Sequence, residues 1–286
     1  MTRIVYVNGG YRPYAQAAVH VEDRGFQFAD AIYEVIEVRD GGLVDAPRHL
    51  ERLARSLKQL AIPAPMTERA LRHVIYQVIR RNRVRDGIVY MQVSRGAGPR
   101  DFALPPPETP PTLVVIARAQ RRGWAAELAE TGISVKTTPD NRWARCDIKT
   151  VMLLPAVLAK DEARRAGARE AWFVDAAGNV TEGASSNAWI VASNGSLVTH
   201  PLDHHILPGV TRATVMDVAK GEGIKIEQRT FTREEVLNAR EAFVTSATNI
   251  VMPVVKIDGA AIGDGRPGPL ARQLRLRFHQ VAEFSA

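Results

Sequence analysis

The chain contains few lysines, so each can be weighed as a possible nucleophile. Lys149 stands out because the apolar run 151–158 follows it almost directly. Apolar surroundings disfavour an ammonium ion, and the neutral amine is the nucleophile that a carbonyl cofactor needs. A lysine that extends its amine to water at the start of a helix is the alternative interpretation. The other six lie on predicted polar helix faces or near helix and strand ends: Lys58, Lys136, Lys160, Lys220, Lys225 and Lys256.

Three further segments bring together groups that could hold a ligand. The segment 181–187, Thr-Glu-Gly-Ala-Ser-Ser-Asn, links two predicted strands and carries one carboxylate, Glu182, among small residues. The segment 207–212, Leu-Pro-Gly-Val-Thr-Arg, runs into a predicted helix whose first N–H groups suit a phosphate. The segment 245–249, Thr-Ser-Ala-Thr-Asn, offers more small donors after a strand. Taken singly, each segment also fits a polar turn or an ordinary helix start.

The spacing of apolar residues predicts the elements that position these groups. In the first third, strands are expected at 32–38, 88–94 and 112–117, the last one after a proline-rich surface loop at 105–111. Two amphipathic helices are expected between them, the second after a Thr67 cap. Their apolar residues are Leu50, Leu53, Leu57 and Leu60 in the first and Leu71, Val74, Ile75, Val78 and Ile79 in the second.

The rest of the chain reads as short strands with a few helices. Strands are predicted at 170–175, 187–192 and 241–245, and helices at 155–166, 211–220 and 270–283. This predicts an α/β N-terminal domain at 1–119, a linker at 120–125 and a β-rich C-terminal domain at 126–286.

Composition and charge limit the classes of protein to consider. The 286 residues are 45% hydrophobic and 24% charged, without an apolar stretch of the roughly 18 residues that a membrane helix needs. The start, Met-Thr-Arg-Ile, has no apolar secretory core, and the single Cys146 excludes an internal disulfide or a cysteine-based metal cluster. The arginines behind the net charge of +7 are interleaved with acids rather than clustered. We therefore expect a cytoplasmic protein that binds no nucleic acid, membrane or metal.

Taken in order, the motifs resemble those of the class IV aminotransferases. The residues that carry the resemblance are Arg-Cys-Asp-Ile-Lys at 145–149 together with the segments 181–187 and 207–212. Two N-terminal stretches are similar to the D-amino-acid transaminase branch: EDRGFQFADAIYEV at 22–35 and RHLERL at 48–53. The resemblance extends from about Tyr6 to the last predicted helix, and several motifs in a fixed order are far more specific than one.

The resemblance implies a fold, a cofactor and a role for each matched residue. The fold is the two-domain fold type IV, an α/β N-terminal domain with a pseudo-barrel C-terminal domain, in a homodimer with pyridoxal 5'-phosphate between the domains. Lys149 forms the Schiff base with the cofactor and then moves the substrate proton. Glu182 pairs with the pyridine nitrogen, and Leu207 packs against the ring. Arg52 binds the phosphate, although on a polar side of its helix it could also be a solvated cation. The remaining phosphate-binding residues are Val210, Thr211, Ser246, Ala247 and Thr248.

The substrate end departs from the branch that the chain otherwise follows. There, the α-carboxylate is held by a tyrosine and by an Arg-x-His pair from the neighbouring subunit. Tyr33 and Arg100 match, but the histidine position is Phe102. An aromatic ring replaces one polar partner of the carboxylate, which leaves room for (R)-amines without a carboxylate.

The activity expected is a ping-pong transfer of the amino group of a D-amino acid to a 2-oxo acid such as pyruvate or 2-oxoglutarate. An (R)-amine transaminase is the nearest alternative, followed by a branched-chain L-amino-acid transaminase or an aminodeoxychorismate-lyase-like enzyme. A basic binding protein without catalysis is the non-enzyme alternative, and the presence of both Lys149 and Glu182 argues against it.

Overall fold

The structure is a computed structural model, and it describes residues 3–285. The chain forms two compact units. Unit 1 contains the chain up to Arg122, the segment Ile148–Met152 and the residues from Glu283 onward. Unit 2 contains Gly123–Asp147 and Leu153–Ala282. The predicted domain limits of 1–119, 120–125 and 126–286 stay a prediction. Met1, Thr2 and Ala286 lie outside the described residues.

The secondary structure alternates strands and helices through most of the chain. The strands are β1 (Ile4–Val7), β2 (Gly10–Pro13), β3 (Ala31–Arg39), β4 (Gly42–Val44), β5 (Gly87–Ser94), β6 (Thr112–Ala119), β7 (Ile133–Pro139), β8 (Glu170–Val174), β9 (Val180–Gly183), β10 (Asn187–Val191), β11 (Leu197–Thr199), β12 (Ile226–Gln228), β13 (Glu241–Ser246), β14 (Ile250–Ile257), β15 (Ala260–Ala261) and β16 (Phe284–Ser285). The helices are α1 (Arg24–Phe28), α2 (Ala46–Gln59), α3 (Glu68–Arg81), α4 (Trp124–Thr131), α5 (Leu154–Arg165), α6 (Val210–Gly221), α7 (Arg233–Leu237) and α8 (Pro269–Val281).

Unit 1 is built on an antiparallel sheet in the order β16-β4-β3-β5-β6-β1-β2. On β3, Ile32, Glu34 and Ile36 are buried, and the alternating Tyr33 and Val35 on the other face are half-exposed. Helix α2 packs on β3, and α3 packs on β6 and β1. Both helices bury the apolar residues that the spacing predicted, except the half-buried Leu60. The Thr67 cap is confirmed, since its hydroxyl accepts a hydrogen bond from the Ala70 amide at 3.3 Å.

A buried carboxylate ties α2 to β3. Glu34 is fully buried, and its two oxygens accept hydrogen bonds from the Arg52 Nε and Nη2 atoms, each at 2.8 Å. The Nδ1 atom of His49 lies 2.8 Å from the same carboxylate. Burial alone would raise the pKa of Glu34, but the charge and hydrogen bonds of Arg52 and His49 lower the pKa to about 2. Glu34 is therefore ionised at neutral pH inside the core.

Unit 2 is built on a curled sheet in the order β12-β11-β10-β13-β14-β7-β8-β9, with β15 paired to β14. β7 pairs in parallel with both β14 and β8. The edge strand β9 returns to β10 through the bridge between Gly183 and Ser186, so the sheet curls back on itself as the predicted pseudo-barrel requires. Its core contains Trp172 and Phe231, which pack edge to face at 6.5 Å between ring centres.

Many elements of the structure were not predicted from the sequence, among them the strands β1, β7 and β14 and the helices α4 and α7. Helix α4 begins at Trp124, inside the predicted linker, after Gly123 at a positive φ of 85°. The last helix was predicted to reach residue 283, but α8 ends at Val281. The chain leaves the helix because Glu283 joins the sheet edge of unit 1, where its carbonyl accepts a hydrogen bond from the Asp45 amide at 2.7 Å. Along residues 3–285, none of the helices is both long and apolar enough to span a bilayer.

We expect the Glu34 carboxylate to control acid stability. A carboxyl whose folded-state pKa is below its unfolded value of 4.5 stabilises the fold above pH 4.5, and this stabilisation is lost as the pH falls towards 2. The loss is about 3 kcal/mol at 1.36 kcal/mol per pKa unit. Thermal unfolding of the cofactor-free Glu34→Gln variant should show lower stability at pH 7, because Arg52 loses its partner, and a flatter dependence on pH between 4.5 and 2.

The matched control is Glu68→Gln, which removes an exposed carboxylate paired with Arg72 on α3. It should follow the wild-type pH curve. Parallel curves for Glu34→Gln and the wild type would show that Glu34 is not the group that titrates.

Candidate functional site

Lys149 lies beside the start of β3 in unit 1. Its carbonyl accepts a hydrogen bond from the Tyr33 amide at 3.0 Å, and the Val151 amide donates to the Ala31 carbonyl at 3.1 Å. The Lys149 Nζ atom is 4.3 Å from the centre of the Tyr33 ring. Because α5 begins only at Leu154, the alternative of a lysine at a helix start is wrong. Lys149 is thus a half-buried amine held over an aromatic face.

Two of the other lysines are less exposed than their sequence positions indicate. Lys136 is half-buried, with its amine 3.4 Å from an Asp258 oxygen, and Lys160 is half-buried, with its amine 3.0 Å from an oxygen of the buried Glu170. Both amines have a carboxylate partner within ion-pair distance. Neither therefore competes with Lys149 as an amine available to a carbonyl group.

Arg52 is buried, so its interpretation as a solvated cation is wrong. Only 8% of the residue is exposed, because the buried Glu34 on the neighbouring strand draws the guanidinium into the core. His49, on the same helix, is also buried, and burial is the main cause that lowers its pKa. The charge of Lys149 contributes to the same shift. Lys149 therefore lies near enough to His49, on the helix that carries Arg52, for its charge to act on this imidazole.

A second tyrosine belongs to the same face of the sheet. The ring of Tyr90 stacks on that of Tyr33 with 5.7 Å between centres, and burial raises the Tyr90 pKa to about 12. Tyr90 was not among the predicted residues. The alternation of β5 could have found it, because Tyr90 pairs with Val35 and so shares the face of Tyr33.

Arg100 and Phe102 lie together in the loop between β5 and β6. The Arg100 guanidinium is 5.2 Å from the ring centre of Phe28 and 5.8 Å from that of Phe102, and the two rings are 5.7 Å apart. Phe102 is 83% exposed. Among the described residues, no hydrogen bond or ring contact joins this pair to Tyr33 or Lys149. The structure of the single chain therefore does not assemble the predicted substrate residues in one place.

A buried arginine fastens this loop to α1. The Nη1 atom of Arg24 donates to the carbonyl of Asp101 at 2.7 Å and to that of Ala103 at 3.3 Å. Its Nε atom donates to Asp30 at 2.9 Å, and Asp30 is also bound by Arg95. The backbone on both sides of Phe102 is thus held by a charged donor that is itself fixed by a carboxylate. Sequence reasoning missed Arg24, although it lies inside the matched stretch 22–35.

In unit 2, Glu182 lies on the strand β9 rather than in a loop. The connection from β9 to β10 consists of residues 184–186. One of its carboxylate oxygens accepts from Arg142 at 2.5 Å. The other accepts from the Asn187 side chain at 2.9 Å and from the Leu207 amide at 3.1 Å. Asn187 also donates to the Leu207 carbonyl at 2.9 Å. The carboxylate therefore joins the two predicted segments 181–187 and 207–212.

Arg142 is a fixed positive charge beside Glu182. Burial disfavours this charge, but the hydrogen bonds to Asp140 and the charge of Glu182 raise the Arg142 pKa above its usual value. The guanidinium donates to Asp140 at 2.7 Å and to the His205 carbonyl at 3.0 Å. Burial also raises the pKa of Cys146 to about 12, so its thiol is protonated at neutral pH and is no nucleophile.

The predicted phosphate-binding residues surround the start of α6 and the end of β13. Helix α6 begins at Val210 without a side-chain cap, which leaves its first amides for a ligand. Gly209 is required there, because a Cβ atom would clash with the Asn187 side-chain oxygen. Ser246 is the last residue of β13, which pairs with β10 and contacts α6, and Ala247 and Thr248 follow this strand. Of these, Ser246 and Thr248 have hydroxyl oxygens 3.5 Å apart.

These groups fit the cofactor that the sequence predicts. Unit 1 offers an amine for an aldehyde and an arginine for a phosphate. Unit 2 offers a carboxylate for a pyridine nitrogen and uncapped amides for a phosphate. Arg212, in the first turn of α6, is buried with an Nε atom that has no hydrogen-bond partner, as expected beside a site for an anion.

Comparisons with a family model and with known proteins indicate the same family. The family model described as Amino-transferase class IV matches residues 31–257. The chain is 39% identical over 279 residues to the D-alanine aminotransferase of Staphylococcus haemolyticus, covering 98% of both chains. It is 38% identical to that of Bacillus licheniformis over 271 residues, covering 95% of this chain and 94% of the relative.

Solved structures confirm the predicted fold class. The branched-chain amino acid aminotransferase of Escherichia coli superposes with a TM-score of 0.89 at 25% identity, covering 98% of this chain and 94% of that one. The branched-chain aminotransferase of the archaeon Thermoproteus uzoniensis, solved with norvaline, gives a TM-score of 0.85 at 25% identity, with the same coverage. Another branched-chain amino acid aminotransferase, solved with pyridoxamine 5'-phosphate, gives a TM-score of 0.88 at 27% identity.

Removal of the Arg24 guanidinium should loosen the loop that carries Arg100. In Arg24→Met, the carbonyls of Asp101 and Ala103 lose a charged donor, and such a hydrogen bond contributes about 1.5 to 3 kcal/mol. Amides of residues 98–103 should exchange hydrogen at least about tenfold faster by mass spectrometry. Arg122→Met, which removes an exposed pair with Asp40, is the matched control. Unchanged exchange in Arg24→Met would mean that other contacts hold the loop.

Proposed function

The chain belongs to amino-transferase class IV, and we propose that it is a pyridoxal 5'-phosphate-dependent transaminase that moves the amino group of a D-amino acid to a 2-oxo acid such as pyruvate or 2-oxoglutarate. The observation that carries the D-amino-acid assignment is the 39% identity to a D-alanine aminotransferase over 98% of both chains. The solved branched-chain enzymes share the fold at 25% and 27% identity. A branched-chain L-amino-acid activity is therefore the weaker alternative.

Lys149 is the proposed nucleophile and proton carrier. Class IV enzymes depend on pyridoxal 5'-phosphate, which when bound supplies an aldehyde for the amino group and a ring that accepts electrons. The Lys149 amine would hold the cofactor through its aldehyde and would move a proton at the substrate α-carbon. Its place above the Tyr33 ring supports this role, because the aromatic face fixes the amine without consuming it in an ion pair.

Glu182 is the proposed partner of the pyridine nitrogen. Its carboxylate would accept a hydrogen bond from the protonated nitrogen and so favour the electron-accepting form of a bound ring. Arg142 and the Asn187 amide hold this carboxylate in place through hydrogen bonds to its two oxygens. Leu207, whose amide donates to Glu182, would pack its side chain against the ring.

The phosphate is proposed to bind Arg52, with amides and hydroxyls from unit 2. Glu34 fixes the Arg52 guanidinium in one orientation, so little side-chain entropy is lost when an anion binds. The proposed unit 2 residues are Val210 and Thr211 at the start of α6, Ser246 at the end of β13, and Ala247 and Thr248 directly after it.

Substrate recognition is proposed to need a second copy of the chain. Tyr33 holds the α-carboxylate from within its own chain, and the loop with Arg100 and Phe102 reaches it from the neighbouring subunit of a homodimer. The exposed side chains of Phe26 and Leu104, together with Phe102 beside Arg100, support this proposal, since such apolar surface is commonly covered in an assembly. A cytoplasmic location stays a prediction.

A second candidate is an (R)-amine transaminase. It is favoured by Phe102, which stands where the resemblance implies a polar partner of the carboxylate. An apolar ring there would tolerate amines without a carboxylate.

The first test is the attachment of the cofactor. The purified protein should be yellow, and borohydride treatment should leave the cofactor covalently attached to the Lys149 Nζ atom, as found by peptide mapping. Lys160→Met is the matched control, because this half-buried lysine is paired with Glu170 and should not affect labelling. Label on another lysine, or no label, would overturn the proposed function.

The second test concerns Phe102. In Phe102→His the imidazole restores a donor to the α-carboxylate, and a hydrogen bond to a charged group contributes roughly 1.5 to 3 kcal/mol. The value of kcat/KM for D-amino acids should rise about 10- to 100-fold. No gain is expected for (R)-1-phenylethylamine, which has no carboxylate.

The control is Leu276→His, which places an imidazole at an exposed apolar residue of α8, away from the residues proposed for the substrate site. It should leave kcat/KM unchanged for both the D-amino acids and the amine. Equal changes for D-amino acids and the amine in Phe102→His would mean that Phe102 acts through packing against Phe28 and Arg100.

A further inference from the structure

Arg212 differs from the other buried arginines of residues 3–285. Four arginines are buried, and three of them bind a carboxylate: Arg24 and Arg95 bind Asp30, and Arg52 binds Glu34. Arg212 is the most buried, at 3% exposure, and no described carboxylate lies within ion-pair distance of it. Its Nη2 atom donates to the His200 carbonyl and to the Gln228 side chain, both at 3.0 Å, and its Nε atom has no partner.

The position of Arg212 on its helix makes its buried positive charge still less favourable. It is the third residue of α6, where the helix dipole is positive and a cation is disfavoured. The first turn contains no acidic residue, and Gly209 before it supplies no side-chain cap. Burial lowers the Arg212 pKa to about 10, with an opposing contribution from the charge of Glu182, so the guanidinium is still charged at neutral pH. Positive charge is thus concentrated at the start of α6 without a described counter-ion.

A buried charge without a counter-ion within ion-pair distance is destabilising, so an anion near this place is expected. Glu182 is already bound by Arg142, Asn187 and the Leu207 amide. Unlike Glu182, a phosphate at the Val210 and Thr211 amides would bring two negative charges to the same helix end.

We propose that Arg212 is an electrostatic counter-charge for the cofactor phosphate, acting through the first turn of α6 rather than by direct contact. This inference rests on the proposed function, since it takes the phosphate to lie at the α6 amides. Arg212 is a positioning residue for the phosphate, and its side chain contributes charge where Val210 and Thr211 contribute hydrogen bonds.

The experiment compares Arg212→Lys, which keeps the charge, with Arg212→Gln, which keeps a hydrogen-bond donor but removes the charge. The full-length protein is stripped of cofactor, and two dissociation constants are measured by absorbance: that of pyridoxal 5'-phosphate, and that of inorganic phosphate as its competitor. Arg212→Gln should weaken both by about tenfold, as expected for one charge acting at a distance in a partly polar interior. Arg212→Lys should stay within about threefold of the wild type for both.

Three results would overturn the inference. Equal losses in the Lys and Gln variants would show that the shape of Arg212 matters and its charge does not. Weaker cofactor binding with unchanged phosphate binding in Arg212→Gln would show that Arg212 acts through Glu182 and the ring. Wild-type affinities in Arg212→Gln would show no role in binding. Borohydride labelling of wild-type Lys149 separates these outcomes from failure of the proposed function, and a wild type that binds neither ligand would overturn both.

Discussion

The ion pair between Glu34 and Arg52 is the constraint on which the arrangement of unit 1 depends. A carboxylate without exposure to water is tolerated only when a partner compensates for its desolvation, and here the guanidinium binds both of its oxygens. The same contact fixes α2 on β3 and gives Arg52 one orientation. Because side chains alternate along a strand, burial of Glu34 turns Tyr33 to the opposite face, where the Lys149 amine lies above its ring. One buried charge pair thus sets both faces of β3.

In unit 2, the charges around Glu182 are also paired with opposite charges, with one exception. Arg142 lies between Asp140 and Glu182, and the two acids keep it charged although it is largely buried. Glu182 in turn is held by donors from three separate parts of unit 2, so its position depends on the whole sheet rather than on its own turn. Arg212 is the exception, and an unbalanced charge beside uncapped helix amides is a feature that binding of an anion explains. Local rules of stability are most often broken where a ligand restores the balance.

The loop with Arg100 is held differently at its backbone and at its side chains. Arg24 holds its backbone by charged hydrogen bonds, whereas the Arg100 guanidinium lies beside the rings of Phe28 and Phe102. Contacts between a guanidinium and an aromatic ring restrict an arginine while leaving its hydrogen-bond donors available. The loop therefore combines a fixed backbone with an exposed cationic and aromatic tip, which suits a surface that completes a site on another chain.

The sequence by itself determined the elements and the order of the chemical groups. Local spacing was enough for β3, β5, α2, α3 and the Thr67 cap, because apolar periodicity and capping act over a few residues. The motif order predicted roles for Lys149 and Glu182 before any geometry was known. Only the tertiary structure decided what surrounds them. The local pattern of its helix predicts Arg52 to be a surface cation, because its partner Glu34 is 18 residues away on another element. Arg142 and Glu182 are 40 residues apart, and Glu283 leaves its predicted helix to pair with Asp45, 238 residues away. Burial and pairing of charge depend on such distant contacts, and a local pattern does not contain them.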